Sequence, residues 1–267
     1  MEIHKGLGNA NKMMNRILYT LHMHHQVQVA SIDGGGLRNA IPRESIAIIA
    51  SGDDIKGTFD QVARDISLEY KTTEPNLSIT LDADTGKQDV LPGEVQDKLL
   101  AALYAAHNGV YKMSADFDDL VETSNNVARV LVRDGRIEIL CLTRSSVESS
   151  KQDLVQQLAA TFRLMDAQVS TGGDYPGWTP NPDSRILKVM KENYQKTFGD
   201  HPEVVACHAG LECGIIAGNY PDLDMISFGP TILGAHSPDE RASISSVGEI
   251  LEIAVSDFSH NIILKKP

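Results

Sequence analysis

Val127-Ala128-Arg129-Val130-Leu131-Val132-Arg133, then Asp134-Gly135, then Arg136-Ile137-Glu138-Ile139-Leu140-Cys141-Leu142 is the stretch that decides the fold. Two β-branched runs flank an Asp-Gly pair, the dipeptide that tolerates positive φ at both centres of a type I′ turn, so an antiparallel hairpin is expected here. Downstream, Ser145, Ser146, Ser149 and Ser150 signal the start of a helix over 151–164 whose apolar face is Leu154, Leu158 and Phe162. Upstream, a helix is expected over 93–106, preceded by a strand at 77–81 and a helix capped by Asp53 or Asp54 and running to residue 70.

Nearer the start, an alternating strand over 26–33 is stopped by Gly34-Gly35-Gly36, and a second strand over 44–50 reads as its antiparallel partner. The three glycines lie between two strands and lack the helix and lysine of a phosphate loop. The first helix has Asn9 or Asn11 near its cap, and Met13, Ile17 and Leu21 along one face. The order helix, strand, strand, helix, strand lacks only a leading strand to be ferredoxin-like. Residues 1–172 therefore read as an α+β domain built on antiparallel sheet with helices.

Residues 171–182 break this pattern. Gly172, Gly173, Gly177, Pro176, Pro180 and Pro182 can continue neither a helix nor a central strand. Beyond them the expected order is helix (184–198), strand (203–207), helix (212–217), strand (224–228) and a final helix opening near Ser243. That alternation suggests that 173–267 is part of an α/β domain.

Composition bounds the function. The 267 residues are 42% hydrophobic and 22% charged, with a formal net charge of -12. So acidic a chain argues against a nucleic-acid or anionic-membrane partner, because phosphate binding needs a basic face. No apolar run approaches the roughly 20 residues of a membrane span. Cys141, Cys207 and Cys213 are an odd number with no pairing logic, which fits a reducing, cytoplasmic setting.

Three places invite a metal. Cys207 and Cys213 with His208 could ligate one, or the cysteines could be small packed hydrophobes. The run His22-Met23-His24-His25 closes the first helix, where histidines also complement the helix dipole. His236 stands on a polar loop, Gly229 to Arg241, between a short apolar run and the last helix, with Ser237, Asp239 and Glu240 able to fix its ring. A hydrogen-bonded loop histidine with no ligand is the other reading.

Several segments in order carry a family likeness: Arg38-Asn39-Ala40-Ile41-Pro42-Arg43-Glu44, Asp174-Tyr175-Pro176-Gly177-Trp178, Cys207-His208-Ala209-Gly210-Leu211-Glu212-Cys213-Gly214, and His236-Ser237-Pro238-Asp239-Glu240-Arg241. With them the chain resembles the second half of the aminoacyl-histidine dipeptidases, cytosolic non-specific dipeptidases of the carnosinase/aminoacylase-type dizinc superfamily. The resemblance implies a ferredoxin-like lid and dimerisation domain over 1–172, then the C-terminal portion of a zinc peptidase catalytic domain over 173–267.

It also implies roles. His236 would be a zinc ligand, and Arg144 would hold the substrate's C-terminal carboxylate, a task suited to a planar guanidinium. Asn39 would touch substrate. Glu212 would lie near the peptide amine or simply stabilise a helix N-terminus. In the family two zincs activate a water and a glutamate takes its proton. The His-x-Asp pair and the Glu-Glu pair that complete such a site are absent from these 267 residues. The expectation is thus a fragment of a dizinc metallo-dipeptidase that is inactive alone, acts on Xaa-His and other dipeptides when complete, and forms a homodimer through the lid. A stand-alone, non-catalytic peptide-binding or self-association domain is the alternative.

Overall fold

Asn9 starts the first helix. Its backbone is extended (φ −99°) and its side-chain oxygen accepts from Lys12 N at 3.1 Å, after which α1 (Ala10–His24) buries Met13, Ile17 and Leu21 in one stripe. The computed structural model of this chain describes residues 3–83, 86, 88–115, 120–174, 176–178, 181, 183–205, 212–233 and 240–261, the side chains of 256–261 excepted. The chain divides into two compact units, one ending at Gly177 and the other beginning at Trp178.

In the first unit α1 leads into β1 (Val27–Gly35), which pairs antiparallel with β2 (Ser45–Ser51) across a bulge between Val29 and Ser31. Then follow α2 (Lys56–Glu69), α3 (Gly93–Ala105), β3 (Gly109–Met113), β4 (Val121–Arg133), β5 (Arg136–Ser145) and α4 (Glu148–Arg163). The hairpin forms as expected, with φ of 51° at Asp134 and 71° at Gly135. Along one edge of β4, β1 pairs with Arg129–Val132 and β3 with the stretch from Val121 to Asn125, while β5 follows the other edge.

Helices α1, α3 and α4 pack Leu18, Leu99, Leu103, Leu154 and Leu158 against Val29, Val127 and Val130 of the sheet. Each fully buried leucine contributes about 1.5–3 kcal/mol. A second cluster joins α2, through Phe59, Val62 and Ile66, to the stripe on α1 and to Val27. Away from these cores, Asp33 takes ion pairs from Arg129 and Arg133 at 2.8 and 2.9 Å. Gly35 is required where it stands: its φ is +73°, and a Cβ there would lie 1.9 Å from the carbonyl oxygen of Ala128.

Antiparallel sheet with helices makes this unit α+β, but two expectations fail. Residues 77–81 are not a strand; Leu77 and Ile79 dock on the α2 cluster and no strand among the described residues pairs with them. In their place β3 forms, and β4 begins six residues before the predicted start because Glu122, Thr123, Ser124, Asn125 and Asn126 are buried despite being polar. The strand that follows α2 in the chain is β3, reached through α3, and β4 comes after it and lies between β3 and β1 on one side and β5 on the other.

The second unit contains α5 (Arg185–Phe198), α6 (Glu212–Asn219), the two-residue strands β6 (Ile232–Leu233) and β7 (Arg241–Ala242), and α7 (Ile244–Asn261). Ser184 caps α5 by accepting from Leu187 N at 3.1 Å, and Gly199 closes it with φ 71°. Helices α5 and α7 pack together. The expected strands do not form at 203–205 or 224–228, so α/β alternation is not seen among the described residues. A strand needs a hydrogen-bonded neighbour, and none of the described residues pairs with these two segments. Asp224 instead accepts from Arg185 N and Ile186 N at 2.8 and 3.0 Å, capping α5.

Candidate functional site

Five successive polar residues on β4 make the end of the first unit's sheet unusual. Glu122, Thr123, Ser124, Asn125 and Asn126 are each between 0 and 7% exposed. Burying such groups costs free energy unless partners are supplied, and here they are. Thr123 Oγ1 lies 2.8 Å from Ser145 Oγ, Asn125 donates to His107 O at 2.7 Å, and Thr143 donates to Asn125 Oδ1 at 3.0 Å. Burial pushes the Glu122 carboxyl up, but hydrogen bonds from Lys112, Ser150 and Thr123 outweigh it and hold it below the ordinary carboxylate range.

Arg144 is half-buried on β5, directly across from Ser124. Asn39 is exposed on a turn closed by Ala40 N donating to Leu37 O at 3.1 Å. Asn126 ties that turn to β4. Its amide donates to Ala40 O at 2.7 Å and its carbonyl accepts from Asn9 at 3.1 Å, so the turn is tied to β4 two residues from Ser124. Residues two apart on a strand share a face, and Arg144 shares that face as a cross-strand partner. The structure thus gathers Arg144 and the turn bearing Asn39 at one end of one sheet.

A third segment reaches the same end. A Cβ on Gly173 would stand 3.8 Å from Arg38 Nη1, beside Asn39, and one on Gly177 would stand 2.8 Å from both Ser145 O and Ser146 O, beside Arg144. Between those glycines, Asp174 accepts from Lys151 Nζ at 2.7 Å. Neither the loop's placement nor the polar run of β4 was read as part of a site from the sequence. The signal available was five polar residues directly ahead of an apolar strand.

Other candidates stand apart. Glu212 is the exposed first residue of α6, in the second unit. His236, Cys207 and His208 lie outside the described residues. Cys213 is a half-buried free thiol. His22 contacts Asp97 Oδ1 at 2.8 Å and Gln96 at 3.0 Å, whereas His25 contacts Thr58 Oγ1 at 2.7 Å. Those two rings therefore have separate partners. Among the described residues no three His, Cys, Asp or Glu side chains are grouped to hold a metal ion, so these residues do not by themselves fit a zinc site.

Known proteins give this geometry a context. Residues 1–76 match the family model of a peptidase dimerisation domain. The chain is 39% identical over 251 residues to the cytosol non-specific dipeptidase of Escherichia coli (strain K12), covering 92% of this chain and 52% of that protein. It is 25% identical over 122 residues to the succinyl-diaminopimelate desuccinylase of Sulfurovum sp. (strain NBC37-1), covering 46% of this chain and 33% of the relative. Its fold is similar to that of aminoacylhistidine dipeptidase from Vibrio alginolyticus, with a TM-score of 0.85 and 34% identity over 97% of this chain and 54% of that one. The chain therefore spans about half the length of the dipeptidases it matches, and the resemblance read from its motifs holds in both sequence and fold.

Proposed function

We propose, from its likeness to the aminoacyl-histidine dipeptidases, that this chain is the lid and the C-terminal catalytic portion of a dizinc metallo-dipeptidase that hydrolyses Xaa-His and other dipeptides with a metal-activated water. Residues 1–172 are the ferredoxin-like lid and dimerisation domain, and 173–267 belong to the catalytic domain. His236 is the zinc ligand this chain contributes. The other ligands and the general-base glutamate are not among these residues, so the 267-residue chain alone is inactive.

The observation that supports this reading is the fold match over 97% of the chain, together with a sheet that carries Arg144 on β5 and, through Asn126 of β4, the turn of Asn39. A half-buried guanidinium suits a dipeptide's terminal carboxylate through two parallel hydrogen bonds. The exposed Asn39 amide can both donate to and accept from the peptide group. In the second unit, Glu212 is the further candidate for the peptide amine, its other role being to stabilise the N-terminus of α6. That unit exposes Leu223, Phe228, Leu233, Ile244 and Leu251 by between 49 and 91%, which supports packing against further protein.

The matched dimerisation family and the exposed edge of β2, where Ile46 is 64% exposed, support a homodimer through the lid. No helix among the described residues is long and apolar enough to cross a membrane. The likeness to a cytosol non-specific dipeptidase supports a cytoplasmic setting, with a dipeptide rather than a nucleic acid or a membrane as the partner.

The test is reconstitution. The first half of the E. coli relative is joined to this chain and assayed with zinc on alanyl-histidine. The chimera is expected to hydrolyse the dipeptide, the His236→Ala chimera and the isolated chain to be inactive. Normal turnover by His236→Ala removes that residue from the metal site, and hydrolysis by the isolated chain overturns the fragment reading.

A further inference from the structure

Lys151 is a charged group in an apolar position. Its side chain is 7% exposed on the first turn of α4, close to the buried Leu154, and its ammonium lies 2.7 Å from Glu148 Oε2 and 2.7 Å from Asp174 Oδ1. An ammonium removed from water costs several kcal/mol unless it is paired. Glu148 is on the same helix and comes with it at i−3. Asp174 is in neither a helix nor a strand, twenty-three residues on, so this contact fixes a segment that nothing local would fix.

The segment is held again at Gly177, whose approach to Ser145 O and Ser146 O leaves no room for a side chain. Ser145 follows Arg144 directly, and Ser146 N donates to Glu122 O at 3.0 Å, so the surface it rests on is rigid sheet end. At the other side of the ion pair, Gly173 takes φ +66° and turns toward the guanidinium of Arg38, next to Asn39. Gly173, Asp174 and Gly177 are thereby pinned between the two elements that carry Asn39 and Arg144.

We propose that the Lys151–Asp174 ion pair is a positioning device for the Arg144 site: it seats Gly173, Asp174, Pro176 and Gly177 as a wall beside Arg144, so that the site takes the free carboxylate of a short peptide. This rests on the reading of Arg144 as the carboxylate-binding residue. Lys151 and Asp174 do not touch the ligand; they act by removing the freedom of the wall, the pre-organisation that converts a contact into affinity.

The test uses the full 267-residue chain, titrated calorimetrically with alanyl-histidine and with its C-terminal amide. Wild type is expected to prefer the free acid, and Arg144→Ala to lose that preference. Asp174→Asn and Lys151→Met are each expected to weaken binding of the acid about tenfold, leaving the amide unchanged, and Asp174→Glu to recover most of the affinity. Wild-type affinity in Asp174→Asn, beside a sensitive Arg144→Ala, overturns the positioning role alone. Equal weakening of acid and amide, with a lowered melting temperature, reduces the pair to a structural brace and also overturns it. No acid preference in the wild-type chain overturns the reading of Arg144, and the positioning role with it.

Discussion

Asn126 donates its side-chain amide to the carbonyl oxygen of Ala40 at 2.7 Å, across eighty-six residues of sequence. The exposed turn with Asn39 is thereby fastened to β4 next to Ser124, the cross-strand partner of Arg144. One buried amide thus sets the spacing of two residues proposed to meet the same small ligand.

Replacing Asn126 with alanine removes that tie and also the acceptor for Asn9. The Asn9 amide keeps bonds to Asn108 and to the carbonyl of Val127, so the loss is partial. A destabilisation of about 1–3 kcal/mol is expected from breaking a buried polar contact. Urea denaturation of Asn126→Ala against wild type measures it, and a change under about 0.5 kcal/mol would mean that the turn is held by other contacts.

Arg144→Lys keeps the charge but loses the two-pronged geometry. In the reconstituted dipeptidase its expected effect is a KM raised by about tenfold with kcat nearly unchanged, because the carboxylate is bound alike in ground and transition states. Steady-state kinetics on alanyl-histidine decide it. Kinetics indistinguishable from wild type would remove Arg144 from the substrate site.

Burial pushes the Cys141 thiol up to about 11 from an ordinary 9.0, opposed by a hydrogen bond to Asn125 and the charge of Lys12. The folded chain therefore holds its proton more tightly than the unfolded chain. The stability this gives over the ionised state is complete below about pH 9 and is lost as pH rises through about 11. Cys141 is expected to resist iodoacetamide at pH 8 in the folded chain and to react readily in urea. Peptide mass spectrometry after timed alkylation measures both rates; fast labelling of Cys141 under native conditions would show that the thiol is not held protonated.

The chain's own order carried much of the fold. Asp134-Gly135 could be placed in a hairpin because a type I′ turn is a two-residue event whose requirements are met, or not, by those two residues. The stripe of Met13, Ile17 and Leu21 and the glycine-proline break after residue 171 are equally local. Leu77–Leu81 misled for the same reason: alternation says that a segment can be extended, and only a neighbour makes it a strand.

Asp224 shows the other side of the matter. Nothing near it in sequence marks it as the cap of a helix that begins thirty-nine residues earlier. Hydrogen bonds from the Ile186 amide, then from Ser184 and the Arg185 amide, outweigh a small burial cost and hold its carboxyl below the usual range. Among the proposed site residues, Arg144 and Asn39 were identified by family motif. Their nearness follows from Asn126 and the β4–β5 register.

By itself the sequence determined the helices and the first strand pair of the first unit, the Asp-Gly hairpin, the break before the second unit and the likeness to dipeptidases, since each depends on residues close together in the chain or on motif order. Only the tertiary structure decided that Glu122 to Asn126 are buried strand, that Lys151 holds Asp174, and that the turn of Asn39 is tied to β4, the strand that pairs with Arg144. The physical reason is that polar groups leave water only when partners are brought to them, and here several of those partners come from segments tens of residues away.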